Sequence, residues 1–258
     1  MALDINHDFN LGFVPTLLLV ILGLAYCRFQ RLGIEKNLAI NSARALVQLL
    51  ALGFVLVYIL RLKSLPALMA ILFLMNCFAA FTAQRRVDLM GKGGMIALLS
   101  ISSGSFAVIF TLLALRVLKT APNELIPVGG MITGQALNVY TLVVDRLKGE
   151  IKNTIDTIEN KIALGATIRQ ALTDPMRRAS KAAFIPITNS LQTVGIIFIP
   201  GMMTGMLVAG SDPLLAVSYQ LIIMYMLVGV SLFTLVFTGI FVSKVIIPSA
   251  LQKESSKR

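Results

Sequence analysis

Residues 214–242 read LLAVSYQLIIMYMLVGVSLFTLVFTGIFV, and no side chain in this stretch carries a formal charge. A membrane-spanning helix needs roughly 20 consecutive apolar residues, so the stretch is long enough to cross a bilayer. Six more apolar segments precede it, at 9–27, 38–60, 65–83, 93–115, 125–144 and 183–210. The pattern predicts an all-α polytopic membrane protein with about seven transmembrane helices.

The composition agrees with this fold class. Of the 258 residues, 57% are apolar and 14% are charged, whereas soluble domains are roughly 45–50% apolar and about 25% charged. A soluble globular protein, a disordered chain and a disulfide scaffold are therefore excluded. The net charge of +11 would suggest nucleic-acid binding in a soluble protein, but here the basic residues sit in short loops between apolar segments.

These basic residues also predict the orientation. With the N-terminus outside, the outer loops hold few basic residues, namely Arg61, Lys63, Arg116 and Lys119, and the inner loops and the C-terminal tail hold most of the others. Cytoplasmic loops carry such an excess. No Lys or Arg precedes Arg28, so the first segment does not resemble a cleaved signal peptide. We expect a multi-pass protein of the inner (plasma) membrane, with its N-terminus out and its C-terminus in.

Several functional classes lack their residues in this chain. The sequence contains no P-loop, no His-Glu-x-x-His and no Cys-x-x-Cys, and its one histidine is His7. All twelve acidic residues fall in loops or tails, whereas proton-coupled carriers usually keep ionisable groups within the membrane. We therefore expect no enzyme, no proton relay and no cofactor bound by this chain, and any metal ligands remain unknown.

The longest polar stretch, 145–181, contains an apolar stripe with helical spacing. Its members are Leu147, Ile151, Ile155, Ile158 and Ile162. This spacing predicts that the fifth span continues beyond the membrane as an amphipathic helix. The stripe must pack against another inner loop, a lipid interface or a partner protein.

The same stretch contains signals for two further helices. Gly165 is a plausible helix stop, and Thr167 with Gln170 is typical of a capping box that starts a short helix. Asp174 before Pro175 predicts an N-cap for a third helix that begins near Met176. A short helix set across two membrane helices could serve as a mechanical handle. The alternative is an ordinary basic amphipathic segment that rests on anionic lipid.

Polar residues within the spans are candidates for a translocation pathway. Arg44 and Gln48 share one face of the second span, where Arg44 could extend to the interface, line the inner mouth of a pathway or brace neighbouring spans. Amides in a span more often form interhelical hydrogen bonds than bind ligands, yet several at similar depth could line a polar path. These amides are Asn76, Gln135, Asn138, Asn189 and Gln192.

Small and flexible residues complete the candidates for the pathway. Pro186 and the pair Pro200-Gly201 are predicted kink sites within the sixth span. Met202 and Met203 follow directly; thioethers suit soft ions, although methionines mostly fill cores. Gly130 and Gly134, spaced as G-x-x-x-G, predict a close helix approach.

The 145–181 loop resembles the cytoplasmic loop of ABC-transporter permeases. There a Glu-Ala-Ala-x3-Gly pattern forms the coupling helix, which docks on the ATPase subunit, and Glu159 and Gly165 match its Glu and Gly. Asn160 and Lys161 depart from its two alanines. The resemblance implies a coupling role for Glu159 and for the run Leu164-Gly165-Ala166-Thr167-x2-Gln170.

A wider set of motifs resembles the FetB (YbbM) family of metal-export ABC permeases, which has plant relatives linked to aluminium tolerance. The similarity extends over residues 35–245. Its motifs are Arg44-x3-Gln48, Ile126-Pro-Val-Gly-Gly-Met-Ile-Thr-Gly134, Ile185-Pro186, Thr193-Val194-Gly195, Pro200-Gly201-Met202-Met203-Thr204-Gly205, Asp212-Pro213 and Tyr219-Gln220.

These observations together predict a single permease domain over 1–258, with the coupling segment at 145–181. The resemblance implies a homodimer that exports a metal ion, with iron suggested, and a separate ATPase subunit that binds ATP and Mg²⁺. Two alternatives stay open from the residues: a carrier or channel that acts without an ATPase, and a membrane scaffold that holds a cytosolic partner through the stripe 147–162.

Overall fold

The computed structural model describes residues 5–62, 64–87 and 93–255, with side chains described from residue 15 to residue 242 of these ranges. The described residues are almost entirely helical and contain no β-strand, so the predicted all-α class is confirmed. The helices are α1 (Ile5–Phe29), α2 (Glu35–Ile59), α3 (Leu65–Arg86), α4 (Gly93–Ala114), α5 (Pro122–Asn153), α6 (Ile155–Ala163), α7 (Ile168–Ala171), α8 (Thr173–Thr193), α9 (Gly201–Val208) and α10 (Pro213–Ser255).

The chain divides into two compact units, Met1–Leu62 and Lys63–Arg258. In the first unit, α1 and α2 contact each other. Helix α2 has 25 residues and is apolar over most of its length, and none of its described side chains is buried. An uncovered helix of this kind is stable only against lipid or another protein surface.

The second unit has its core among α3, α4, α5 and α10. Helix α4 packs along α10, α3 packs against α4 and α5, and α8 lies along α5. The largest fully buried side chains come from all four core helices and include Leu72, Ile101, Tyr140 and Val230.

A glycine sets the spacing between α4 and α10. A Cβ atom placed on Gly104 would lie 2.3 Å from the Thr234 hydroxyl and 2.9 Å from its backbone Cα atom. The two backbones therefore approach as closely as a glycine allows. The predicted contact at Gly130 and Gly134 is weaker: a Cβ at Gly134 would meet nothing within 4 Å, and one at Gly130 would meet only the Met75 methyl group, at 3.2 Å.

Six of the seven predicted spans each correspond to one helix. In two of these six, the last residue of the predicted span lies one position beyond the end of the helix. Among the residues that the structure describes, four helices are long and apolar enough to cross a membrane, at Glu35–Ile59, Leu65–Arg86, Gly93–Ala114 and Pro213–Val242, and Pro15–Phe29 is a shorter apolar helix. The count of seven spans stays a prediction.

The sixth predicted span, 183–210, is a broken helix instead of a kinked one. Helix α8 ends at Thr193, an irregular segment follows over 194–200, and α9 begins at Gly201. Gly195 adopts a positive φ of 80°, which favours glycine, and its N–H donates to the Phe198 carbonyl at 3.0 Å. Pro186 lies inside α8 and does not end it.

The amphipathic helix predicted after the fifth span is also divided. Helix α5 runs to Asn153, and Thr154, with φ −125° and ψ 24°, separates it from α6. The Thr154 hydroxyl donates to the Glu150 carbonyl at 2.7 Å, which satisfies one acceptor at the end of α5 and favours termination there.

We predict that Gly104→Ala destabilises the protein while Gly134→Ala does not. The added methyl group at Gly104 meets Thr234 backbone atoms that cannot rotate away, and overpacking of this kind costs about 1–3 kcal/mol. The measurement is the free energy of unfolding in mixed micelles. Equal stabilities of the two variants would contradict the close α4–α10 approach.

Candidate functional site

The break in the sixth predicted span opens onto a cavity of about 260 Å³. Its polar walls are Gln135 of α5, Ser190 of α8 and Gln220 of α10. Apolar residues form the rest of the lining: Pro186, Ile187, Phe198, Pro200, Met224 and Leu227. The cavity therefore combines amides and a hydroxyl within apolar walls, an arrangement typical of ligand sites between helices.

The two glutamines at this cavity have different roles. The Gln135 Nε2 atom donates to the Ser231 Oγ atom at 2.8 Å, and the Ser231 hydroxyl donates to the Leu227 carbonyl at 2.7 Å. Gln220 is 6% exposed, and its Oε1 atom accepts no hydrogen bond from the residues that the structure describes. Gln135 thus connects α5 to α10, and Gln220 keeps a buried acceptor at the cavity wall.

The structure brings two of the predicted pathway residues, Gln135 and Pro200, together at this cavity. Asn138, Asn189, Gln192 and Gly201 are exposed, and Met202 and Met203 are half-buried. Exposed amides in apolar segments require another polar surface or water, because hydrocarbon cannot satisfy them.

Three other predicted pathway residues do not line the cavity. Asn76 is fully buried in α3, where its Nδ2 atom donates to the Leu72 carbonyl at 2.9 Å. Arg44 and Gln48 are exposed on α2, in the first compact unit. Sequence reasoning missed Ser190 and Gln220 as lining residues, although Gln220, as an amide within an apolar segment, carried the same signal as the other candidates.

Buried hydroxyl groups are frequent where α4 and α5 pack against the core. The side-chain oxygens of Ser100, Ser105, Thr133 and Thr234 are buried and have no hydrogen-bond partner among the described residues. Among these same residues, no group of three His, Cys, Asp or Glu side chains is placed to hold a metal ion. The polar groups of the core are therefore neutral ones.

The second candidate site is a compact three-helix element over 155–181, which we call the loop lever. Ile158 of α6 packs with Ala171 and Leu172, at the end of α7, in a small apolar cluster. Ile151, Ile162 and Ile168 pack around this cluster. The stripe predicted at 147–162 is thus covered largely by α7, which answers the open question of what it packs against.

The turn between α6 and α7 agrees with the sequence prediction. Gly165 has a φ of +91°, and the N–H groups of Gly165 and Ala166 donate to the carbonyls of Ile162 and Lys161. This is a Schellman C-cap. The capping box predicted for Thr167 and Gln170 is present in both directions, so the helix stop and the helix start are both confirmed.

The predicted N-cap at Asp174 is wrong. Helix α8 begins at Thr173 with Leu172 in the N-cap position and without a side-chain cap. Asp174 instead accepts a hydrogen bond from the Lys161 ammonium group at 2.8 Å. This hydrogen bond and the charge of Lys161 lower the pKa of Asp174, because both stabilise its ionised form.

Ion pairs connect the parts of the loop lever. Lys161 with Asp174 joins α6 to α8, and Arg178 with Glu150 joins α8 to α5. The tip of the lever remains open to solvent: Leu164 is 88% exposed, and Gly165, Thr167 and Gln170 are exposed around it. Glu159 and Ala166 are half-buried. An apolar side chain this exposed at a rigid turn is a candidate anchor for a protein partner.

Known proteins resemble this chain over most of its length. The model of an uncharacterised protein family, UPF0014, matches residues 10–247. The chain is 36% identical to the UPF0014 membrane protein STAR2 of Oryza sativa subsp. japonica over 212 residues, covering 82% of this chain and 74% of the relative.

Two further relatives have names that refer to metals. The protein ALUMINUM SENSITIVE 3 of Arabidopsis thaliana is 34% identical over 213 residues, covering 83% of this chain and 78% of the relative. The probable iron export permease protein FetB of Escherichia coli (strain K12) is 32% identical over 221 residues, covering 85% of each chain. No solved structure matches the chain.

We predict that Ser231→Ala lowers the free energy of unfolding by about 0.6–2 kcal/mol, the range for an interhelical hydrogen bond in a membrane. The substitution removes the acceptor of Gln135. Ser218→Ala on the same helix is the matched control, because within the described residues the Ser218 hydroxyl donates to the Leu214 carbonyl of its own helix and to no other helix. An equal effect of both changes, measured by unfolding in micelles, would argue against the α5–α10 connection.

Proposed function

The chain belongs to the UPF0014 family, and from this premise we propose that it is the membrane-spanning permease subunit of an ABC transporter. A separate ATPase subunit would bind ATP and Mg²⁺ and supply the energy. The proposal includes seven spans in the inner (plasma) membrane, the N-terminus outside, and the loop lever and C-terminus in the cytosol. It also includes a single permease domain over the whole chain.

The observation that carries this proposal is the exposed tip of the loop lever. Leu164 projects from a turn whose two sides are fixed by a Schellman cap and a capping box. The turn is joined to α8 by the Lys161–Asp174 ion pair and the apolar cluster around Ile158. A rigid, apolar and solvent-exposed tip suits docking into a groove of an ATPase subunit.

Movement of the tip would reach the cavity through two helices. Helix α5 extends from Gln135 at the cavity to Glu150 beside the lever, and α8 extends from Arg178 beside the lever to Ser190 at the cavity. When the ATPase subunits close, the lever would tilt both helices together and change access to the cavity. This is the rigid-body type of switching.

The translocation pathway in the proposed transporter lies between two copies of the chain. Asn138 on α5 and Asn189 on α8 are exposed in apolar segments of a single copy, and α5 and α8 pack together. A second copy of the chain that packs against this surface would place the amides of both copies around a water-filled space. The uncovered surface therefore supports a homodimer.

The proposed cargo is a metal ion, with iron favoured because one relative is named a probable iron export permease. Amides and hydroxyls can contact a hydrated or complexed ion. These groups would bind the ion weakly, and weak binding suits a transport pathway better than a storage site.

The rival functions make different predictions for one experiment. A carrier or channel that needs no ATPase would transport in liposomes by itself. A scaffold would bind a partner without any flux, but most of the stripe that was its predicted binding surface packs within the chain. Metal efflux in cells that express the chain with and without its ATPase separates all three.

We predict that Leu164→Ser weakens association with the ATPase subunit about 10- to 30-fold, as expected for an apolar interface anchor. The fold should be unchanged, because the Leu164 side chain is almost fully exposed. Asn160→Ser, exposed one turn earlier on α6, is the control and should bind as the wild type does. Co-purification titrations measure both. Wild-type association and efflux in Leu164→Ser would reject the coupling role.

We also predict that the thiol introduced by Asn189→Cys faces water and that the thiol introduced by Leu191→Cys does not. Both variants are made in a Cys27→Ser/Cys77→Ser background and treated in membranes with a charged thiol reagent. The cysteine at position 189 should react at least about tenfold faster, because the reagent attacks the thiolate, which forms in water and not in hydrocarbon. Equal rates, or a faster reaction at position 191, would contradict a water-filled pathway along this face of α8.

A further inference from the structure

A concavity of about 690 Å³ lies beside the loop lever. Such volumes are in the range, roughly 300–1,000 Å³, of pockets that bind small molecules. One wall comes from α7 and α8 and the other from α10, and Leu147 of α5 contributes as well. The concavity is separate from the cavity at the helix break, because the two share no lining residue.

The α10 wall of this groove is apolar and partly exposed. Leu235, Val236, Gly239 and Ile240 line it, and Val236 and Ile240 are 47% and 42% exposed. These residues belong to the last turns of the apolar stretch 214–242, which Ser243 and Lys244 follow. By its place in the sequence, the wall lies at the end of a membrane span, where hydrocarbon meets headgroups.

The opposite wall of the groove is basic and polar. Arg169 of α7 and Arg177 of α8 line it, together with the hydroxyl residues Thr173 and Ser180. The carboxylate of Asp174, which lies between the arginines in sequence, is held by Lys161. Within the part of the chain that the structure describes, neither arginine forms an ion pair.

We propose that this groove binds one anionic phospholipid, with the phosphate between Arg169 and Arg177 and an acyl chain along α10. The guanidinium groups of the two arginines match a phosphate diester, and the apolar wall matches a hydrocarbon chain. The Thr173 and Ser180 hydroxyls donate to the carbonyls of Arg169 and Met176, so the arginines alone supply the donors. Basic pockets between membrane helices bind anionic headgroups in the same way.

The proposed lipid would touch both parts of the coupling machinery. Arg169 belongs to the short helix of the loop lever, and α10 belongs to the core of the second unit. A bound lipid would thus link the lever to the bundle and make its movement depend on the anionic lipid content of the membrane. The inference uses the membrane placement of the proposed function and not its ATP-driven step.

The test measures lipid retention by the purified full chain in detergent, by native mass spectrometry with added phosphatidylglycerol, phosphatidylcholine or inorganic phosphate. The wild type should retain one phosphatidylglycerol and no phosphatidylcholine, and millimolar inorganic phosphate should not displace the lipid. The Arg169→Gln/Arg177→Gln variant should bind phosphatidylglycerol on the order of 30-fold more weakly, because each basic residue near an anionic headgroup contributes roughly fivefold.

Two further variants separate a built groove from general attraction of charges. Arg146→Gln/Lys152→Gln removes the same charge at exposed positions outside the groove and should bind as the wild type does. Gly239→Phe keeps both arginines and adds a large side chain to the groove wall at a position where a Cβ atom meets nothing within 4 Å; it should lose the lipid as well.

Several outcomes would overturn the assignment. Equal retention of phosphatidylcholine, equal loss in the Arg146/Lys152 control, or full binding by Gly239→Phe would each show that the groove does not select an anionic lipid. Displacement by inorganic phosphate would indicate a simple anion site, and release on ATPase binding would assign the groove to protein docking. Because the measurement needs neither ATP nor transport, its failure and a failure of the proposed function are distinguishable.

Discussion

Hydrocarbon can neither accept nor donate hydrogen bonds. A segment within the membrane can therefore leave the helical conformation only where its backbone groups find other partners. The segment 194–200 interrupts a predicted span, yet its backbone is largely satisfied locally. The Gly195 N–H donates to Phe198, and the Ile197 N–H donates to Thr193. Pro200 brings no N–H group that would need a partner. The interruption faces the cavity that contains Gln135 and Gln220, so the chain departs from the helix where polar side chains are available.

The cavity and the loop lever lie at opposite ends of the same pair of helices, α5 and α8. Helix α5 has 32 residues, or about 48 Å, and so is long enough to extend from the cavity into the lever. Helix α8 returns along it, and the ion pair between Arg178 and Glu150 fixes the two helices to each other near the lever. In the proposed permease, two helices that are packed and paired in this way would transmit a displacement as one body, which a flexible loop could not do.

Local signals in the sequence predicted local structure well. The Gly165 stop and the Thr167–Gln170 box depend only on groups a few residues apart in sequence, and both are present. The Asp174 prediction was wrong because Lys161, thirteen residues earlier, provides a charged partner that competes with the N-cap role. The break at Thr154 was not predicted, because the apolar stripe keeps its spacing across it. Both errors come from interactions that residue spacing does not encode.

The candidate site was only partly predictable for the same reason. Composition could identify the amides in the spans, but which of them meet depends on the packing of α5, α8 and α10. Asn76 turned inward to a backbone carbonyl of its own helix, while Gln220, not chosen as a pathway residue, lines the cavity. The described core offers hydroxyls and amides to a solute and no carboxylate. In the proposed permease such a lining would bind a cation weakly, so the direction of transport must come from the ATP-driven lever and not from the affinity of the site.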